Sequence, residues 1–317
     1  MSRQPRILAV GYNAFDVTVA VPALPAPDTK LEVPPIRIGG GGPAATAAVA
    51  MARLGCAVRL LTPLTADEPG RLQRAELLAA GIDLSGCPLC DGPASPMAVI
   101  LVHPPGGQRT ILWSRGAVPP LPVPAEPDRE LADRDLLYVD GHEPAASVAL
   151  ASAAVALGLP VVMDAGTLRE GSRELVARCS DVISSAVFAP AFAGCAEPAA
   201  ALRALREAGP QRVAMTFGSG GVLGLEGDLL LAVPAFAVET VDTTGAGDAF
   251  HAGYACALAR GEPFPRALRF GAAVAALKCR AWGGRAGLPT FAETAAFLVQ
   301  APVHPLAPAV AAAVAGN

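Results

Sequence analysis

Short runs of aliphatic and β-branched residues alternate along this chain with alanine-rich runs, and that alternation limits its fold more than any other feature. Residues 6–10, 57–62, 136–140, 159–164 and 212–217 read as strands; 44–54, 70–80, 144–157, 169–178, 245–260 and 264–279 read as helices. Gly55 and Gly81 stand just past two of these helices, where a left-handed residue closes the last turn. Strand, helix and next strand joined in this order take right-handed crossovers, which make a sheet parallel and cover both of its faces. The expected fold class is therefore α/β, with three layers of helix, sheet and helix around a mostly parallel central sheet.

Two extended, proline-rich segments break the rhythm, at 14–38 and 95–115, and read as strands of a small β lid. Residues 1–300 read as one domain carrying that lid, and 301–317, rich in Ala, Val and Pro, as a loose helix or flexible tail. The uncharged stretch 145–163 has the length of a membrane span, but it is mostly Ala, Ser and Gly and is broken by Pro160. It reads as a buried helix followed by a strand.

Composition removes several function classes. Apolar residues are 52 % and charged residues 16 %, so the chain is not disordered. Its 24 Lys and Arg against 28 Asp and Glu give a net charge of −4, with no basic run to neutralise a nucleic-acid backbone. Aromatics are 5 %, too few for a base-stacking platform. No signal peptide precedes the first strand, and seven cysteines form no disulfide framework, so the expected compartment is the reducing cytoplasm. Cys87 and Cys90 form a lone CxxC in a turn-like segment without further zinc ligands nearby, and read as incidental thiols.

Two glycine clusters carry the chemistry. The first, IGGGGPAATAAVAMARLG at 38–55, places four glycines before a helix, where backbone and ligand can approach closely. It fits neither the Walker pattern nor the dinucleotide fingerprint. The second, VDTTGAGDAFHAGYACAL at 241–258, leads through Gly245, Ala246 and Gly247 into a helix. Unpaired amides at such a helix start form an anion hole. On spacing alone Asp248 reads equally as a helix cap or as a base beside that anion.

DTTGAGD followed by AlaPheHisAlaGly resembles the C-terminal signature of the ribokinase-like, phosphofructokinase-B type sugar kinases, and the first cluster resembles their N-terminal signature. The likeness runs from residues 11–16 to 283–289 and is nearest in wording to the sulfofructose-kinase-like branch. It implies a ribokinase-like fold and transfer of the ATP γ-phosphoryl group to a sugar hydroxyl. Asp248 is then the general base, and the Gly245, Ala246 and Gly247 backbone the anion hole. Asp16, Gly41 and Gly42, with Asn13, Lys30, Thr46 and Asp140, line the acceptor pocket. Thr216, Gly218, Gly221 and Thr243 flank the nucleotide. Asp242 and Thr244 match a monovalent-cation site, K+ being the candidate, and Mg2+ accompanies ATP.

The chain departs from the pattern at Thr46, where the signature commonly has Asn, and at Ala186 and Ala189, where relatives often carry an Asn and a Glu that organise magnesium and phosphate. Arg109 and Arg115 are lid candidates for an anionic acceptor, and Trp282 and Arg285 have no assigned role. A nucleoside kinase, with Phe15, Trp113 and Met97 walling a base, and a catalytically weak sugar or nucleotide sensor are the alternatives. A homodimer formed through the lid is the expected assembly; nucleic acid and membrane are not expected partners.

Overall fold

The computed structural model describes residues 3–92, 94–104 and 106–315. Its larger sheet has eight strands in the order Leu229–Val233, Val222–Glu226, Arg212–Thr216, Asp181–Ser185, Val161–Ala165, Leu136–Val139, Arg6–Val10 and Ala57–Leu61. The six strands from Arg212–Thr216 to Ala57–Leu61 run parallel, and the other two continue the sheet antiparallel.

Successive strand residues face opposite sides, so each strand feeds two cores. Ile7, Ala9, Tyr138, Val162, Ile183 and Ala214 share one core with helices Pro43–Arg53, Ala246–Ala259 and Phe264–Lys278. Leu8, Val10, Leu137, Val139, Met163 and Val213 share the other with helices Pro144–Ala156 and Pro198–Glu207. Each fully buried Leu, Ile or Val stabilises the fold by roughly 1.5–3 kcal/mol. The alanine-rich composition serves close helix packing: a Cβ at Gly253 would lie 2.9 Å from the Cα of Gly271 on the neighbouring helix.

A second sheet of four strands has the order Arg37–Gly41, Ala14–Ala20, Met97–His103 and Gln108–Ser114. Asp16, Ala98 and Trp113 stand side by side across three of its strands, as do Val17, Val99 and Leu112 on the opposite face. Residues 21–36 hold no strand; Pro22, Pro25, Pro27, Pro34 and Pro35 lack the backbone donors a ladder needs.

Some elements differ from the sequence expectation. The helix expected at 169–178 shrinks to Ser172–Val176, because Gly171 before it is left-handed (φ 76°) and the Arg169 amide turns onto Ser172 Oγ at 2.9 Å. The antiparallel hairpin at 222–233 and the helices Pro198–Glu207 and Phe291–Gln300 had not been anticipated. Tail residues Pro308–Ala315 form a helix whose Val310 is fully buried. The stretch 145–163 divides into helix and strand as expected, and no helix among the described residues is long and apolar enough to cross a membrane. All seven cysteines are free. Cys87 donates to the Leu60 carbonyl, and burial pushes its thiol up to about 11.

Candidate active site

Helix Ala246–Ala259 begins where the small sheet comes down onto the larger one. Gly245, its N-cap, has φ 73°, and a Cβ there would sit 2.7 Å from the Gly284 carbonyl oxygen, so only glycine suits the position. Helix geometry leaves the first-turn amides without helical partners. Ala246 is an exception, since its N–H donates to the Thr243 carbonyl at 3.1 Å. That spends one of the three amides expected in the anion hole.

Asp248 lies in this first turn, half-buried. Burial pushes its carboxyl up to about 6, with Asp164 and Asp140 adding to the rise and His251 and Arg109 opposing it. Beneath it lies a polar chain that sequence reading missed. His251 Nδ1 is 3.2 Å from Asp164 Oδ2, His251 Nε2 is 3.1 Å from the Ile183 carbonyl, and Tyr138 Oη donates to Asp164 Oδ2 at 3.2 Å. Burial first, then the Asp140 charge, raises Asp164 to about 7, while burial lowers His251. The available signal was the spacing: His251 follows Asp248 by three residues and so shares its helix face.

The residues expected to line the acceptor pocket gather around the glycine run. A Cβ at Gly41 would lie 2.1 Å from the Asp16 carboxylate, and one at Gly40 would lie 2.0 Å from Arg285 Nη1. Gly42 is left-handed at φ 83° and turns the chain into helix Pro43–Arg53. Asp16 is buried, which drives its carboxyl up to about 7 against the pull of Arg285. Arg285 donates to the Gly41 carbonyl at 2.7 Å and to Thr46 Oγ1 at 3.4 Å, reaches Asn13 Oδ1 at 3.5 Å, and pairs with Glu76 at 3.3 Å. Asn13 donates in turn to Gln73. Asp16, Asn13, Gly41, Gly42, Thr46 and the unassigned Arg285 thus converge. A lone arginine in a glycine-rich loop was the only trace of the last.

Two expected acceptor residues stand apart from this group. Lys30 lies exposed in the proline-rich loop. Asp140 gives its carboxylate to backbone amides instead: Tyr12 at 2.8 Å, Ala44 at 3.0 Å and His142 at 2.9 Å. It braces the turn after the first strand and the start of helix Pro43–Arg53. Of the three aromatic or apolar wall candidates, Trp113 alone stands in the cross-strand row of Asp16. Phe15 and Met97 pair with each other in the next row, on the other face. Trp113 meets Tyr12 edge-on at 5.9 Å and His142 at 6.0 Å, and Tyr12 and His142 stack at 4.6 Å. Arg115 is held by Glu143.

Of the residues expected to flank the nucleotide, Thr216 ends its strand and donates to the Ser184 carbonyl at 3.3 Å. Gly218 (φ 58°) has open space where a side chain would project. Gly221 serves the turn: φ is 93° and a Cβ would meet the Val233 carbonyl at 2.6 Å. Thr243 is tied to the lid, its hydroxyl donating to the Gly107 carbonyl at 2.6 Å and accepting from Arg109 at 3.0 Å. Trp282 packs under the lid residues Ala98, Ile100 and Val102.

Asp242 is fully buried, with its oxygens accepting from the Thr244 and Gly283 amides at 2.8 Å each and its carbonyl from Lys278 Nζ at 2.9 Å. Thr244 Oγ1 is buried without a partner, the kind of orphaned oxygen a cation would use. For a divalent ion the fit is poor. Among the described residues no three His, Cys, Asp or Glu side chains are grouped to hold one, and Phe188 and Ala189 are packed into the core.

The family model for pfkB family carbohydrate kinases matches residues 4–291. The chain is 29 % identical to a ribokinase of Haemophilus influenzae over 93 % of its own length and 99 % of the relative's. It is 30 % identical to an ATP-dependent ribose-1-phosphate kinase of Halopiger xanaduensis, over 92 % and 98 %. The structure of an Arabidopsis thaliana ribokinase complexed with ribose and ATP superposes with a TM-score of 0.81 at 23 % identity, covering 94 % of this chain and all of that one, which shows the shared fold. A parallel sheet with a second small sheet over a glycine-led helix, matched almost end to end by these kinases, makes this chain a member of the pfkB family of carbohydrate kinases, an ATP-dependent phosphotransferase acting on a hydroxyl acceptor.

Proposed function

We propose that the protein phosphorylates a hydroxyl of a small sugar or sugar derivative, with Asp248 as general base and the amides at the start of helix Ala246–Ala259 as the anion hole. The observation that carries this reading is the position of Asp248: a carboxylate in the first turn of a helix whose N-cap glycine tolerates no side chain. A carboxyl raised to about 6 remains mostly ionised at neutral pH and is a better proton acceptor than an ordinary aspartate. Asp248 takes the proton of the acceptor hydroxyl as its oxygen attacks the γ-phosphorus of ATP and the bond to ADP breaks. The first-turn amides of Gly245 and Gly247, with the positive end of the helix, stabilise the charge on the transferring group. Asp16 accepts hydrogen bonds from other acceptor hydroxyls. Thr216 and Gly218 border the nucleotide.

Mg2+ entering with ATP would supply neutralisation of phosphate charge, and Ala186 and Ala189 would give it no side-chain ligand. K+ is proposed beside Asp242 and Thr244 on the orphaned threonine oxygen. Seven unpaired thiols favour the cytoplasm. The lid row Ile38, Val17, Val99 and Leu112 leaves Ile38 63 % and Leu112 58 % exposed, which supports a homodimer closed over this face.

The acceptor class follows from a panel of fructose, ribose, ribose 1-phosphate, fructose 6-phosphate, sulfofructose and nucleosides, assayed by ADP release with Mg-ATP. Turnover with a sugar or sugar phosphate is expected. Turnover confined to nucleosides favours the nucleoside-kinase alternative, for which Trp113 beside Tyr12 and His142 would supply the base wall. ATP binding without turnover of any acceptor contradicts the enzyme reading of the site and leaves a sensor.

A further inference from the structure

Arg285 has no part in the mechanism above, yet it is the most confined charge on the acceptor side. It is 8 % exposed and belongs to the loop after helix Phe264–Lys278, the loop that also meets the start of helix Ala246–Ala259. There Gly283 donates to Asp242, and Gly284 packs on Gly245. From that loop the guanidinium crosses to the Gly41 carbonyl, Thr46 and Asn13, and Nη1 lies by Glu76 without a well-formed hydrogen bond. The glycine run is shaped to receive it: Gly40 leaves room for Nη1 and Gly41 for the Asp16 carboxylate.

We propose that Arg285 is a positioning residue of the acceptor site, reaching across from the loop that meets the start of helix Ala246–Ala259 to seat the Gly40–Gly42 backbone and hold Asp16 as a carboxylate. The inference rests on Asp16 being the acceptor contact. Every other charged group acting strongly on Asp16 is acidic: Glu76 from helix Glu68–Ala79, Asp242 from the loop before the catalytic helix, and Asp248 from its first turn. The Tyr12 phenol also faces it and is pushed up to about 12, chiefly by burial. Without Arg285, four acidic groups would crowd one pocket and Asp16 would take up a proton. Protonation turns one Asp16 oxygen into a donor and removes the charge that strengthens its bonds from sugar hydroxyls. Arg285 thereby makes acceptor binding depend on the fold of its own loop.

The test needs no turnover, so its outcome is separate from that of the acceptor panel. Protein labelled with 13C at aspartate Cγ is titrated, and the Asp16 resonance is assigned by its loss in Asp16→Asn. In Arg285→Met the Asp16 midpoint should move up by about one pH unit or more, the size expected for losing an adjacent opposite charge. Gly40→Ala, whose Cβ would fall 2.0 Å from Nη1 and 2.7 Å from Glu76 Oε2, should move it in the same direction when Glu76→Gln is the common background. Gly40 is not left-handed, so alanine displaces the guanidinium without straining the backbone. Arg285→Lys should move it least. If Arg285→Met does not fold, Gly40→Ala and Arg285→Lys carry the measurement. A folded Arg285→Met or Gly40→Ala protein with an unchanged Asp16 midpoint, whatever its melting temperature, overturns the proposal.

Discussion

At the scale of single residues, the site is a set of carboxylates whose charge is governed by burial. The proposed mechanism needs Asp248 and Asp16 both ionised, and burial raises them to about 6 and about 7. The rate should therefore fall on the acid side in two steps: acceptor affinity first, through Asp16 near pH 7, then kcat through Asp248 near pH 6. Separate pH profiles of kcat and kcat/KM check this order. Asp164 raises Asp248, so Asp164→Asn should carry the kcat limb to lower pH; a limb that stays in place would remove Asp164 from the account. Asp164 also bears on stability. Its folded-state value, about 7, lies above the ordinary 3.8, so the folded protein holds a proton the unfolded chain has released. That contribution is fully present below about pH 4 and is lost as pH rises through about 7. Melting temperatures of wild type and Asp164→Asn should converge, or cross in favour of the variant, as pH is raised across that window.

At the scale of elements, the helix Ala246–Ala259 does most of the functional positioning. Gly245→Ala combines a left-handed φ with a clash on the Gly284 carbonyl, and should cost about 1–2 kcal/mol from backbone conformation alone. Its melting temperature should fall, and its kcat should fall further than that of a surface Gly→Ala variant such as Gly261→Ala. Much of this element was legible in advance. The glycine cluster, the alanine-rich helix and Asp248 in its first turn follow from residue types at adjacent positions. The hairpin at 222–233 was missed although Gly227 and Asp228 mark its turn between two apolar runs, and the capping box of Thr290 and Glu293 was likewise readable. Other features depend on tertiary contacts between residues far apart in the chain. No local pattern could show that Asp140 would spend its oxygens on the amides of Tyr12 and Ala44, or that Arg285 would reach Gly41.

At the scale of the molecule, the small sheet is docked on the loop before helix Ala246–Ala259 through Gly107, Arg109 and Thr243, while its outer face presents an apolar row. If that row is the subunit interface, Val99→Asp with Leu112→Asp should convert a dimer to a monomer in sedimentation equilibrium, with the secondary structure preserved. A wild-type protein that sediments as a monomer at all concentrations contradicts the assembly. The larger sheet supplies the frame, its two faces filled by separate cores.

The central claim is that Asp248 removes the acceptor proton, and the most direct measurement compares wild type with Asp248→Asn in single-turnover phosphoryl transfer to the acceptor the panel identifies. Asparagine keeps the shape and the helix start but cannot take a proton. The account predicts a loss of about 100-fold or more in the transfer rate, with ATP affinity changed little. A variant that transfers phosphate within a few-fold of the wild-type rate would contradict it and leave Asp248 as a first-turn carboxylate that only complements the helix dipole.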